Sequence, residues 1–179
     1  MGGDKFTSLI EAILFYETEV VSYEKLMRIT NLDKDKILDI VNELNLDYQK
    51  ALHGITIAEV AGGFAFQIKK DIFPEIRDIY NIRGKSRLSQ SALTVLSIIA
   101  YKQPVTKGEI EAIRGVSADN QVRNLIEKGL IEIVGRKETF GKPLLYGTTK
   151  EFLKYFNLKS IKDLPEINEL KSDEYSDDE

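Results

Sequence analysis

The chain has no cysteine and only one histidine among its 179 residues. Without cysteine no disulfide and no thiolate metal site can form. The lone histidine, His53, precedes Gly54 in a turn between helical and strand-like segments, where an exposed turn residue is expected rather than a catalytic one. Long apolar runs are also missing. The longest, ALTVLSIIAY, is about ten residues, while a membrane-crossing helix needs about 20. No charged stretch followed by an apolar run opens the chain, so no signal peptide is expected and the expected location is the cytoplasm. No phosphate loop is present: the Gly84-Lys85-Ser86 run lacks the glycine five residues earlier, where Ile79 stands, and the Gly pair of AGG joins two strand-like runs instead of a strand and a helix. Asp33, Asp35 and Asp39 invite comparison with a calcium loop. Yet DKDKILDIVNEL lacks the mid-loop glycine and is apolar at helical spacing, so its acids read as the start of a helix. No metal, no cofactor and no enzymatic constellation is expected.

Apolar residues make up 42% of the chain, enough for a real core. The formal net charge of −4 hides an asymmetry. Asp4 to Tyr80 carries nine Lys/Arg against fourteen Asp/Glu. Asn81 to Arg87 adds three cations, and Leu88 to Leu158 carries ten cations against seven acids. Lys159 to Glu179 returns to three against eight. A mildly basic middle therefore lies between acidic ends. A dedicated nucleic-acid-binding domain is usually basic overall.

A repeat runs through the chain at a spacing of about 84 residues. LIEAILFYETEVVSYEKLMRITNLDKDKILDIVNEL is matched by ALTVLSIIAYKQPVTKGEIEAIRGVSADNQVRNLIEKG. Each copy opens with an apolar helix ending near a tyrosine, Tyr16 or Tyr101. Val21-Ser22 and Val105-Thr106 follow, their hydroxyls suited to cap a second helix, and Thr106 with Glu109 fits a capping box. Apolar pairs come next, Leu26/Ile29 and Ile110/Ile113, then a turn with a buried-type residue, Leu32 or Val116. A third helix shows Ile37, Ile40, Val41 and Leu44, or Val122, Leu125 and Ile126, at helical spacing. Both copies then become strand-like. ITIAEV and FAFQIK flank Ala61-Gly62-Gly63, and LIEIVG and PLLYGT flank a longer tip. A short helix closes each half.

This order predicts an α+β, mainly helical fold: two tandem winged-helix domains, each with three helices and a two-stranded wing. The expected boundaries are 4–80, a linker 81–87, 88–165, and an acidic tail 166–179 expected to be disordered.

Winged helices often bind DNA through the third helix and the wing. The first copy's third helix carries Asp33, Asp35, Asp39, Glu43 and Asp47, a surface that repels phosphate. The second offers Asn120, Gln121, Arg123, Asn124 and Lys128, offset by Asp119 and Glu127. The second hairpin, GRKETFGKPLLYGTT, has a tip of Arg136, Lys137, Lys142 and Phe140. Its residues leave structural, partner-binding and DNA-binding roles open. A winged-helix transcription regulator that binds DNA directly is therefore one reading these residues allow.

The words IAYKQP, EIEAIRGV, GRKE, GKP and LYGTT, closed by FLKYF and LP, resemble the bacterial segregation and condensation protein B family. The resemblance covers about Leu88 to Pro165 closely and the first copy in layout. It implies a homodimer, joined mainly through the first domain, that binds a kleisin (segregation and condensation protein A) and through it an SMC ATPase. The implied role is chromosome condensation and segregation, with DNA met only weakly or through the complex, and no membrane partner. It places partner binding at Tyr101, Lys102, Gln103, Pro104, Arg136, Lys137, Pro143 and Tyr146. Apolar residues beyond the needs of a small core, Phe6, Leu9, Ile10, Phe15, Phe64, Phe66 and Ile68, are the expected dimer interface.

Overall fold

A computed structural model describes residues 3–50, 52–80 and 88–166. The expected linker 81–87 and the acidic tail beyond Glu166 lie outside these residues. The first half runs α1 (Gly3–Tyr16), β1 (Val21–Ser22), α2 (Tyr23–Thr30), α3 (Lys34–Tyr48), β2 (Ile55–Val60), β3 (Gly63–Ile68) and α4 (Phe73–Ile79). The second repeats the order as α5 (Gln90–Lys102), β4 (Val105–Thr106), α6 (Lys107–Arg114), α7 (Asp119–Glu127), β5 (Ile131–Arg136), β6 (Leu144–Thr148) and α8 (Lys150–Phe156). A single 3-10 turn, Ile161–Asp163, follows.

Each half has an antiparallel sheet of three strands, ordered β1-β3-β2 and β4-β6-β5. This corrects the expected two-stranded wing. The missed strands, β1 and β4, are two residues long, too short to show a period of two in sequence. They pair as Val21 with Phe64 and Val105 with Tyr146. Gly63 begins β3 instead of ending the turn, because a Cβ there would run into the Val21 carbonyl. The first hairpin turn is thus Ala61-Gly62 alone, both with positive φ, 51° and 75°.

The hydroxyl caps read from sequence are present: Ser22 accepts from Lys25 N, and Thr106 with Glu109 completes a capping box. Asp33, read as an acid of the helix start, is itself the cap of α3 and accepts from Lys36 N. Gly115 ends α6 in the left-handed conformation. Each half closes on its own buried cluster, one centred on Ile10, Leu14, Leu26, Ile37 and Phe64, the other on Val95, Leu96, Ile99, Ile110, Leu125 and Ile131. Several apolar positions assigned inward by periodicity are instead exposed: Ile29, Ile113, Val116 and Ile126. Ala118 fills the turn of the second half where Val116 was expected. Among the described residues no helix is long and apolar enough to cross a membrane.

Candidate partner-binding surfaces

The end of α5 and the outer face of the second sheet meet at one place. Tyr101 is half-buried and its hydroxyl donates to the Pro165 carbonyl at 2.7 Å, tying the chain after the 3-10 turn to α5. Lys102 and Pro104 are exposed. The Gln103 side chain is committed: its Oε1 accepts from Thr148 N at 2.6 Å and from the Thr148 hydroxyl at 3.0 Å. Gln103 and Pro104, with Val134, Leu145 and Gly147, line a shallow apolar depression of about 400 Å³. Gly147 is required there, because a Cβ would lie 2.9 Å from a Val134 methyl and 3.1 Å from Gln103 Oε1.

Pro143 and Tyr146 belong to the opposite face. With Leu144 they form one wall of a groove of about 530 Å³, whose other wall is Lys107, Gly108, Asp119, Val122, Arg123, Ile126 and Glu127 of the α6–α7 region. Tyr146 is only 8% exposed and packs with the second core, so its assignment as a contact residue is corrected: its strand face points at the helices. Leu144 shares that face and is partly buried, as the period of two predicts.

The hairpin tip is held by its own charges. Arg136 NH1 donates to the Lys142 carbonyl at 3.2 Å, bracing the return of the loop. Lys137 Nζ reaches Glu109 Oε1 on α6 at 2.5 Å, and the pair is about half exposed. That contact, with the Thr106 amide and hydroxyl, holds the Glu109 carboxyl down at about 2. Phe140 at the apex is fully exposed. Both cations therefore have structural work at the tip, which the sequence did not reveal because Glu109 lies 28 positions away.

In the first half, the expected interface residues divide. Ile10 and Phe64 are 0% and 1% exposed and belong to the core, a further correction: both pack inside the first half's buried cluster, Phe64 edge-on to Tyr23 of α2. Phe6 and Phe66 are half-buried against that core, and Phe66 meets Tyr48 edge-on with ring centroids 5.5 Å apart. Leu9, Phe15 and Ile68 are exposed, Phe15 at 81%. The sequence reading missed Tyr16, Leu52, Ile72, Phe73, Ile79 and Tyr80, which are exposed as well. α4, which carries Phe73 and Ile79, buries none of its residues. Nor did it find the buried hydroxyl pairs: Tyr48 donates to Glu11, and Tyr23 to Glu59 at 2.6 Å. Burial, and then these carboxylates, push Tyr48 up to about 12 and Tyr23 higher still.

His53 is exposed and its ring meets Tyr48 edge-on. Among the described residues, no three His, Asp or Glu side chains gather into a metal site.

The model of the family described as "Segregation and condensation complex subunit ScpB" matches residues 8–167. The chain belongs to the ScpB family. Its curated ScpB relatives include segregation and condensation protein B of Brevibacillus brevis, 39% identical over 93% of this chain and 86% of that protein. The protein of the same name from Desulforamulus reducens is 40% identical over 93% of this chain and 91% of its own length. Among solved structures, the dimer of an ScpB N-terminal domain complexed with ScpA peptide covers 42% of this chain and 95% of that chain, at 22% identity and a TM-score of 0.39. The family match spans both hairpins and both three-helix sets, so the surfaces described above are those of an ScpB.

Proposed function

We propose that the chain is a non-enzymatic subunit of a bacterial condensin-like SMC complex. It works as a homodimer of two tandem winged-helix domains, residues 4–80 and 88–165, that binds a kleisin and supports chromosome condensation and segregation in the cytoplasm, at the nucleoid. Membership of the ScpB family carries this reading. The surfaces agree with it. A subunit that works by assembly needs apolar area left over after its own core has formed, and Leu9, Phe15, Tyr16, Phe73, Ile79 and Tyr80 supply it in the first half. We assign dimerisation to that half. We assign kleisin contact to the second half, at Tyr101, Lys102 and Pro104 beside the outer-sheet depression, with Arg136, Lys137 and Pro143 at the hairpin.

The test is the mass of the purified chain by light scattering, alone and with a kleisin fragment. The expected result is twice the chain mass alone and a stable heavier complex with the kleisin. A chain that ignores the kleisin and instead binds one DNA sequence tightly would establish the transcription-regulator alternative.

A further inference from the structure

The turn after α8 lies against the turn of the first hairpin. α8 ends at Asn157, which takes the left-handed conformation with φ 55° and leads straight into Leu158 and Lys159. The carbonyls of those two residues each accept a backbone hydrogen bond from the other half: Ala61 N donates to Leu158 O at 2.9 Å, and Gly62 N to Lys159 O at 3.0 Å. A two-residue hairpin turn with both φ values positive leaves its two central amides outside the strand ladder. Here both find consecutive acceptors on one segment.

Side chains flank this backbone contact on three sides. Gln67 Nε2 donates to Asn157 Oδ1 at 2.8 Å. Lys159 Nζ pairs with Glu59 Oε2 at 2.6 Å, while Oε1 of the same carboxylate accepts from Tyr23. Lys154 Nζ pairs with Glu19 Oε2 at 2.5 Å. Glu59 is the better placed of the two acids, because its side chain is 21% exposed whereas that of Glu19 is 73% exposed. Ala61 occupies its left-handed position without glycine's freedom and is only 8% exposed.

We infer that residues 154–159 are a clasp that seats on the first hairpin's turn and holds the two halves of the chain in one orientation. The clasp goes beyond the proposed role in assembly and stands or falls separately from it. Closed, it occupies the two free amides of the Ala61-Gly62 turn and fixes the angle between the first half's apolar surface and the second half's outer-sheet depression. Its charged pairs place acids of the first half, Glu19 and Glu59, against lysines of the second, Lys154 and Lys159, so salt and charge reversal both weaken it.

Amide hydrogen exchange followed by NMR tests this directly. In the unmodified chain the Ala61 and Gly62 amides should exchange at least about tenfold more slowly than an unprotected turn. Lys154→Glu with Lys159→Glu should bring both close to the unprotected rate, while the Ala65 and Gln67 amides of β3, which pair with Ala58 and Thr56 of β2, keep theirs. Unprotected Ala61 and Gly62 in the unmodified chain would overturn the clasp, as would protection that survives the charge reversal. If the double variant does not fold, the unmodified chain is followed in rising salt, where constant Ala61 and Gly62 protection is the overturning result. The absence of native cysteine allows a second reading. Spin labels on exposed Leu46→Cys and Ile113→Cys, diluted into excess unlabelled chain, should give one narrow distance distribution. A broad one overturns the clasp whether or not the dimer and kleisin complex form.

Discussion

Glu109 shows how one carboxylate can be asked to do three things. It completes the capping box of α6, accepts the Thr106 hydroxyl and receives Lys137 from the hairpin. Its acidity is raised by all three, so its folded value of about 2 lies below the ordinary carboxylate range. A depressed carboxylate contributes stability above its unfolded pKa and loses it as pH falls through the folded one. That contribution is therefore full at neutral pH and fades between the ordinary glutamate value and about 2. Lys137→Ala should raise the Glu109 midpoint without returning it to the ordinary value, because the Thr106 bonds stay. A carboxyl-carbon NMR titration reads this; an unmoved midpoint would show that Lys137 spends its time in solvent. Tyr146 makes the opposite kind of residue. Buried against the second core, it should cost about 3–5 kcal/mol as Tyr146→Ala, read by denaturant unfolding. The loss should appear in stability before any loss in partner binding.

At the scale of elements, the two copies of helix, helix, helix and hairpin were legible because each uses a period that sequence shows. Apolar residues recur at helical spacing in α3 and α7, Ser22, Asp33 and Thr106 stand where caps belong, and Leu144 and Tyr146 share a strand face. What sequence could not show are contacts between distant positions. β1 and β4 exist only because Phe64 and Tyr146 lie beside them. Leu9 and Ile10 are equally apolar neighbours, yet one is exposed and the other fully buried, a difference set by where α3 packs on α1. For the same reason the candidate sites were read as residue types and not as surfaces: Pro104 and Pro143 proved to lie on opposite faces of one sheet. Thr106 joins both kinds of information, since it caps α6, pairs in β4 and is 4% exposed. Thr106→Ala should cost about 1–2 kcal/mol by thermal or denaturant unfolding, and Thr106→Ser should recover most of it. Phe140 is fully exposed at the hairpin apex, so Phe140→Ser, by contrast, should leave the melting temperature unchanged.

For the whole molecule, charge decides which partner the hairpin tip can serve alone. The first half and the C-terminal end are acidic, and the net charge of −4 sets the field that an approaching polyanion meets. On α7, Arg123 is offset by Asp119 and Glu127, Gln121 reaches back to Ser91 at 3.4 Å, and Asp119 is itself held by Lys107. At the tip, Lys137 is paired with Glu109 and the Arg136 guanidinium braces the loop, which leaves the Lys142 ammonium as the third cation there. A site that neutralises one or two phosphates has a shallow salt slope, roughly −0.9 per phosphate, and little affinity to lose. The chain alone should therefore bind duplex DNA no more tightly than the roughly 10⁻⁶ M of nonspecific complexes at physiological salt, with no preference among sequences. Fluorescence anisotropy at two salt concentrations measures both quantities. Arg136→Ala with Lys142→Ala should abolish what binding there is while leaving the kleisin complex to be judged by mass. Sub-micromolar, sequence-selective affinity in the unmodified chain would move the hairpin from a protein-facing role to a DNA-facing one.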